Sequence, residues 1–127
     1  MISLIDSNTT ALLSLALDAA SMRHQAIAHN IANANTPGYK PVGVSFEAHM
    51  TEVKNTLAQG RTVPLSSWSH VRPTLEFVAD GRLSDDKVSL DNEVAKLSEN
   101  TLHHQALLKM LNRHFSIMHT AITEGKR

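Results

Sequence analysis

Apolar positions in the last third of the chain recur with one period. Leu90, Val94, Leu97, Thr101, His104, Leu108, Leu111, Phe115, Met118 and Ile122 follow one another by alternating steps of four and three. That spacing holds them on one stripe of an α-helix, and a heptad stripe this long marks a helix seated along another helix. The helix is predicted over about 90–122. Ser89 or Asp91 supplies its N-cap, Asp91 and Glu93 sit at the positive end of its dipole, and Gly125 with Lys126 and Arg127 stands at the other end.

A second helix is predicted from about Asn8 to Asn35. Leu13, Leu17, Ala20, His24, Ile27, Ile31 and Ala34 repeat the same steps, and the adjoining face carries Ala16, Ala19, Ala26, Asn30 and Asn33. Small residues let backbones approach closely, so both faces can touch neighbours. Sixteen residues between Arg23 and Lys40 carry no formal charge, and Asn30, Asn33 and Asn35 lie among them. A solvated helix face is normally charged. Either the run lies against other protein, where amides find partners, or it is a chance feature of an Ala-rich helix. Laid antiparallel with Ala34 beside Leu90, the stripes bring His24 level with Thr101 and His104, set Leu13 against Leu111 and Phe115, and carry Met118 and Ile122 toward Ile5 and Ile2. The polar layer either fixes register or reflects the few ways two ends can align.

Pro and Gly crowd the stretch between the helices. Within it, Phe46, Met50, Val53 and Leu57 suggest a short amphipathic helix capped by Ser45 and stopped by Gly60. Thr74 to Ala79, followed by Asp80-Gly81, reads as a strand entering a tight turn with Arg82 to Ser84 as its return. The expected fold is therefore mainly α. Long N- and C-terminal helices (1–36 and 90–127) pair as an antiparallel coiled-coil-like hairpin around a small irregular or β middle segment (37–89).

Composition narrows the chemistry. Twelve Lys and Arg balance twelve Asp and Glu, without the basic surplus that duplex binding requires, so nucleic acid is disfavoured as a partner. Five aromatic residues in a chain 42% hydrophobic leave a core of aliphatic side chains and Met. The absence of cysteine excludes disulfides, thiol catalysis and Cys-based metal sites. No run approaches the ~20 apolar residues of a membrane span, and no basic segment precedes the uncharged stretch Ser7–Leu17 as in a cleaved signal. Eight histidines raise a metal hypothesis, but His24 and His29, and His114 and His119, are five apart while His103 and His104 are adjacent. None shares a helix face at i, i+3 or i, i+4. No phosphate loop or nucleophile elbow occurs. The expectation is a protein without cofactor or metal, and not an enzyme. On periodicity alone, a soluble helical-hairpin module that binds a partner helix competes with a structural subunit.

The most specific string ends the first helix: Ala28-His29-Asn30-Ile31-Ala32-Asn33-Ala34-Asn35-Thr36-Pro37-Gly38-Tyr39-Lys40. Pro37 has no N–H, Thr36 before it is pushed toward extended geometry, and Gly38 permits positive φ. Asn33 and Asn35 can bond groups freed at the helix end. The string resembles the N-terminal signature of the bacterial flagellar axial proteins (rod, hook and hook-associated), approximately N-I-A-N-x-x-T-x-G-Y, matched by Asn30, Ile31, Ala32, Asn33, Thr36, Gly38 and Tyr39. The short middle segment leaves no room for the large inserted domain of hook and distal-rod members, and points to the proximal-rod proteins. Val88-Ser89-Leu90-Asp91-Asn92-Glu93 and Leu102-His103-His104-Gln105-Ala106 are similar to a proximal-rod pattern V-D-L-D-x-E followed by A-L-R-Y-Q-A.

The resemblance implies a structural subunit of the flagellar rod, exported by the flagellar type III apparatus without a cleaved signal peptide. Its implied neighbours are self-copies, other proximal-rod proteins and the adaptor FliE that joins rod to membrane ring. Torque would pass through repeated helix interfaces. The residues expected at subunit interfaces are the motif positions Asn30, Ile31, Ala32, Asn33, Thr36, Pro37, Gly38 and Tyr39, and the stripe positions Leu13, Leu17, Ile27, Leu97, Leu108, Leu111, Phe115, Met118 and Ile122.

Overall fold

The computed structural model describes residues 2–61, 66, 71–78 and 88–125, without the side chains of 2–6, 47–49, 53, 54 and 57. Its elements are α1 (Ile2–Ala32), β1 (Val42–Ser45), α2 (Glu47–Ala58), β2 (Thr74–Phe77) and α3 (Leu90–Glu124). The helix α1 starts before the expected Asn8, since nothing from Ile2 to Ser7 breaks a helix. For α3, the N-cap is Ser89, although its side chain makes no cap bond, and the C-cap is Gly125.

The long helices run antiparallel. Near one end Asn30 bonds Glu93, in the middle Asn100 bonds the Ala20 carbonyl at 2.9 Å, and further along Leu13 and Ala20 cluster with Leu107. Ala20 is fully buried, and its bare methyl lets α3 come close enough for Asn100 to reach a carbonyl.

The seam differs from the predicted stripe. Leu97, His104, Leu111 and Met118 are half-buried, while the buried positions of α3 are Glu93, Asn100 and Leu107. Leu90, Val94, Thr101, Leu108, Phe115 and Ile122, expected inside, are exposed. This is a rotation of α3 by ~50°, half the 100° between consecutive residues. Its physical reason is polar: the rotation gives Asn100 the Ala20 carbonyl and Glu93 the Asn30 amide, and buried polar groups without partners are costly. The expected polar layer is corrected in the same way. His24 is exposed and the Thr101 hydroxyl donates to Leu97 of its own helix at 2.8 Å. The contact expected between Met118 or Ile122 and Ile2 or Ile5 lies outside the described residues.

The second face of α1 is covered by the middle segment. Leu15 and Ala19 cluster with Phe46, and Val44, Met50 and Val71 pack around them. Phe46 and Met50 thus serve the amphipathic helix as the spacing suggested, but Ser45 ends β1 instead of capping α2. Met50 N–H donates to the Phe46 carbonyl at 3.2 Å, which makes Phe46 the N-cap. Gly60, at φ +70°, ends α2, and Arg61 N–H to the Thr56 carbonyl closes a Schellman motif around it.

The expected strand at Thr74 forms, and its partner among the described residues is β1. β2 pairs antiparallel with β1 in the register Val42↔Phe77 to Ser45↔Thr74, and Val78 N–H donates to Pro41 O at 2.9 Å. The Asp80-Gly81 turn and Arg82–Ser84 return lie outside the described residues. The core is thin. Its buried apolar residues among those described are three Leu, three Ala, one Ile and one Phe, and α3 contributes only Leu107.

Candidate functional site

The Asn30 carboxamide is the hub of the helix junction. Its Oδ1 accepts from Val42 N–H and from the Tyr39 hydroxyl, each at 2.9 Å. Its Nδ2 donates to the Val42 carbonyl at 2.9 Å and to Glu93 Oε2 at 3.1 Å. Two donors and two acceptor positions are therefore all used. Pairing with both backbone groups of Val42, the amide takes the place a neighbouring strand would have on the free edge of β1. One side chain ties the end of α1, the entry to β1 and the first turn of α3 together.

Glu93, 5% exposed, is held in this site by charge as well as by the amide. Lys96 Nζ approaches its Oε1 at 2.8 Å, with the lysine mostly in water. Tyr39 lies between Asn30 and solvent, and burial, followed by the negative charge of Glu93, raises its phenol above the ordinary 10.0. The neutral phenol is thus the form the fold prefers. Its contribution is fully present below pH 10 and is lost as pH climbs through the raised value. Tyr39→Phe should flatten the alkaline limb of a stability–pH curve and cost about 1 kcal/mol at neutral pH, read by thermal melts.

The rest of the motif stops α1. Asn33 Nδ2 donates to the His29 carbonyl at 2.9 Å, Thr36 N–H to the Asn33 carbonyl at 2.9 Å, and Thr36 Oγ1 to Asn33 Oδ1 at 3.2 Å. Gly38 has φ +73°, and a Cβ added there would meet nothing within 4 Å. The need for glycine is therefore purely one of backbone geometry. Gly38→Val should cost about 1–3 kcal/mol, and Gly38→Asn much less because Asn tolerates left-handed backbone. Equal melting temperatures for the two variants would contradict this.

Of the interface residues expected from sequence, Asn30, Leu13 and Ile27 are buried within the chain. Ile31, Asn33, Tyr39, Leu17, Leu97, Leu111 and Met118 are half-buried, while Ala32, Thr36, Pro37, Gly38, Leu108, Phe115 and Ile122 are exposed. They form three sets: a junction built around Asn30, residues that pack inside the chain such as Leu13, Leu17 and Leu111, and an outward stripe on α3. Sequence reasoning missed Asn100 and the burial of Glu93, and gave no place to Met110 and Ile117, which are also exposed. With apolar residues on its seam and on both flanks, α3 has the pattern of a helix surrounded by neighbours. No group of metal-ligating side chains occurs among the described residues, and no described helix is long and apolar enough to cross a membrane.

The family model described as "Flagella basal body rod protein" matches residues 13–40, the stretch that contains the Asn30 hub and the stop at Gly38. The chain is 31% identical over 125 residues to the flagellar basal body rod protein FlgB of Bacillus subtilis, covering 94% of this chain and 97% of the relative. It is 28% identical to FlgB of Escherichia coli, covering 87% and 89%, and 27% identical to FlgB of Proteus mirabilis, covering 87% and 90%. The likeness thus runs through both helices and the middle segment, and the chain belongs to the FlgB family of flagellar basal body rod proteins.

Proposed function

We propose that this chain is a structural subunit of the proximal rod, which passes torque through helix faces packed against copies of itself and other rod proteins. It is a structural component and not an enzyme, and it assembles with other rod components. The observation that carries the finer reading is the apolar stripe left outside on α3. Leu90, Val94, Leu108, Phe115 and Ile122 are 41–62% exposed, on the longest helix of the chain. A heptad line in water is a seam without its partner.

The junction has a complementary role. By binding Val42, Tyr39 and Glu93 to one amide, it fixes the direction in which the chain leaves α1, so that helix faces reach their neighbours at a set angle. The motif residues then act on subunit contacts chiefly through geometry, whereas Leu108, Phe115 and Ile122 make the contact. A thin core supports export in an unfolded state by the flagellar type III apparatus. FliE, at the base of the rod, is a further neighbour under this reading.

Deletion of the coding sequence should abolish swimming, and an epitope-tagged copy should restore it and co-purify with isolated basal bodies. A deletion strain that swims, or a functional tagged chain absent from basal bodies, would refute the reading.

A further inference from the structure

The side of α1 between its two partners is left open. With β1 and α2 against one flank and α3 against the other, a groove of about 720 Å³ runs along the helix. Leu12, Ala16 and Ile27 floor it, Phe46 and Met50 form one wall, and Leu107 belongs to the other, with Glu99 on the rim. From Leu12 to Asn30, both of which line it, the groove is ~27 Å long at 1.5 Å rise per residue. Its floor is aliphatic and, at Ala16, small, which suits a helix laid in lengthwise.

The same chain carries a helix face of matching kind. Val94, Leu108, Phe115 and Ile122 lie at multiples of seven, on the outer flank of α3, and the stretch from Leu108 to Ile122 alone spans ~21 Å. None of the four lines the groove. Val94 and Leu108 lie ~60–180° around α3 from the groove-lining Glu93, Lys96, Glu99, Asn100, His103 and Leu107. Groove and stripe therefore sit on different faces of α3, so a chain does not fill its own groove with its own stripe. Charge is balanced along the groove, where Arg23 and Lys96 offset Glu93 and Glu99, so the match lies in the apolar faces and their lengths.

We propose that the groove between α1, α2 and α3 receives the outer stripe of α3 from a second copy of this chain. The contact is head-to-tail, so every copy offers both halves and the arrangement propagates instead of closing as a dimer. This deepens the rod-subunit reading and rests on it. It also names the neighbour that covers Leu108 and Phe115.

The test uses cells in which the full chain carries a photo-crosslinking benzoylphenylalanine in place of Thr51, an exposed residue on the groove wall. Basal bodies are isolated after illumination, and the chain is first detected there by immunoblot, which tests the rod reading separately. The expected product has twice the mass of the chain, and its mapped attachment lies within 90–122 of the second copy. A second label at Glu99, exposed and on the opposite rim, guards against loss of assembly by the first. The dimer product should fall at least tenfold when Leu108→Asp is added to the labelled chain expressed beside an unlabelled wild-type copy bearing a different tag, in every link that uses the altered stripe. Links from either position to a different rod component, links to α1 or α2 of the second copy, or no link from a chain that is present in basal bodies would each overturn the proposal.

Discussion

Asn30→Asp is expected to cost the free chain about 3–5 kcal/mol, although the two side chains have nearly the same shape. Aspartate keeps an acceptor for Val42 N–H and the Tyr39 hydroxyl, but its second oxygen faces the Val42 carbonyl and Glu93 Oε2, which Asn30 Nδ2 approaches at 2.9 and 3.1 Å. Two acceptors then confront a third, and one of the confrontations is between carboxylates, in a site where Glu93 is 5% exposed. No cavity opens, so the loss is assigned to hydrogen bonding and charge alone. Adding Glu93→Gln removes the like charge and supplies an N–H toward position 30, and should recover more than half of the loss. The four chains form a double-mutant cycle whose coupling, read from thermal or urea melts, should exceed about 1 kcal/mol. Simple additivity would mean that Asn30 and Glu93 do not act together.

Leu107→Asp is the second large effect. Leu107 is the one apolar residue of α3 buried among those described, and it closes the cluster formed by Leu13 and Ala20. Losing it removes about 1.5–3 kcal/mol of burial, and a carboxylate there adds a desolvation penalty of several kcal/mol. A domain with a thin core has roughly 5 kcal/mol in hand. The Leu107→Asp chain should therefore be unfolded at 25 °C by circular dichroism. Native-like helicity with a cooperative melt would show that the α1–α3 seam lies elsewhere.

Legibility in the sequence followed how local each signal is. The long helices were readable because their period repeats over many turns, and the end of α1 was readable to within three residues of the expected Asn35 because Pro37 and Gly38 act locally. The strand at Thr74 was readable from its own residues, but its partner was not. β1 is four residues long, follows Pro41, and gains its edge partner from a side chain twelve positions earlier in the chain. The seam was misplaced by half a residue step for the same kind of reason. Glu93 and Asn100 look like solvent-facing positions until Asn30 and the Ala20 carbonyl are brought beside them, and those partners come from the other end of the chain. Leu108 and Phe115 were expected to be contact residues and are exposed in the single chain, since periodicity carries no information on whether a contact is within one chain or between two.

That distinction is tested most directly by Leu108→Asp, next to Leu107 but 41% exposed. The free chain should change by less than about 1 kcal/mol, since the carboxylate stays in water. In cells the variant should be made at normal levels, yet be missing from isolated basal bodies, with swimming lost in soft agar. A Leu108→Asp chain that enters basal bodies and supports normal swimming would contradict the claim that the outer stripe of α3 is an assembly surface.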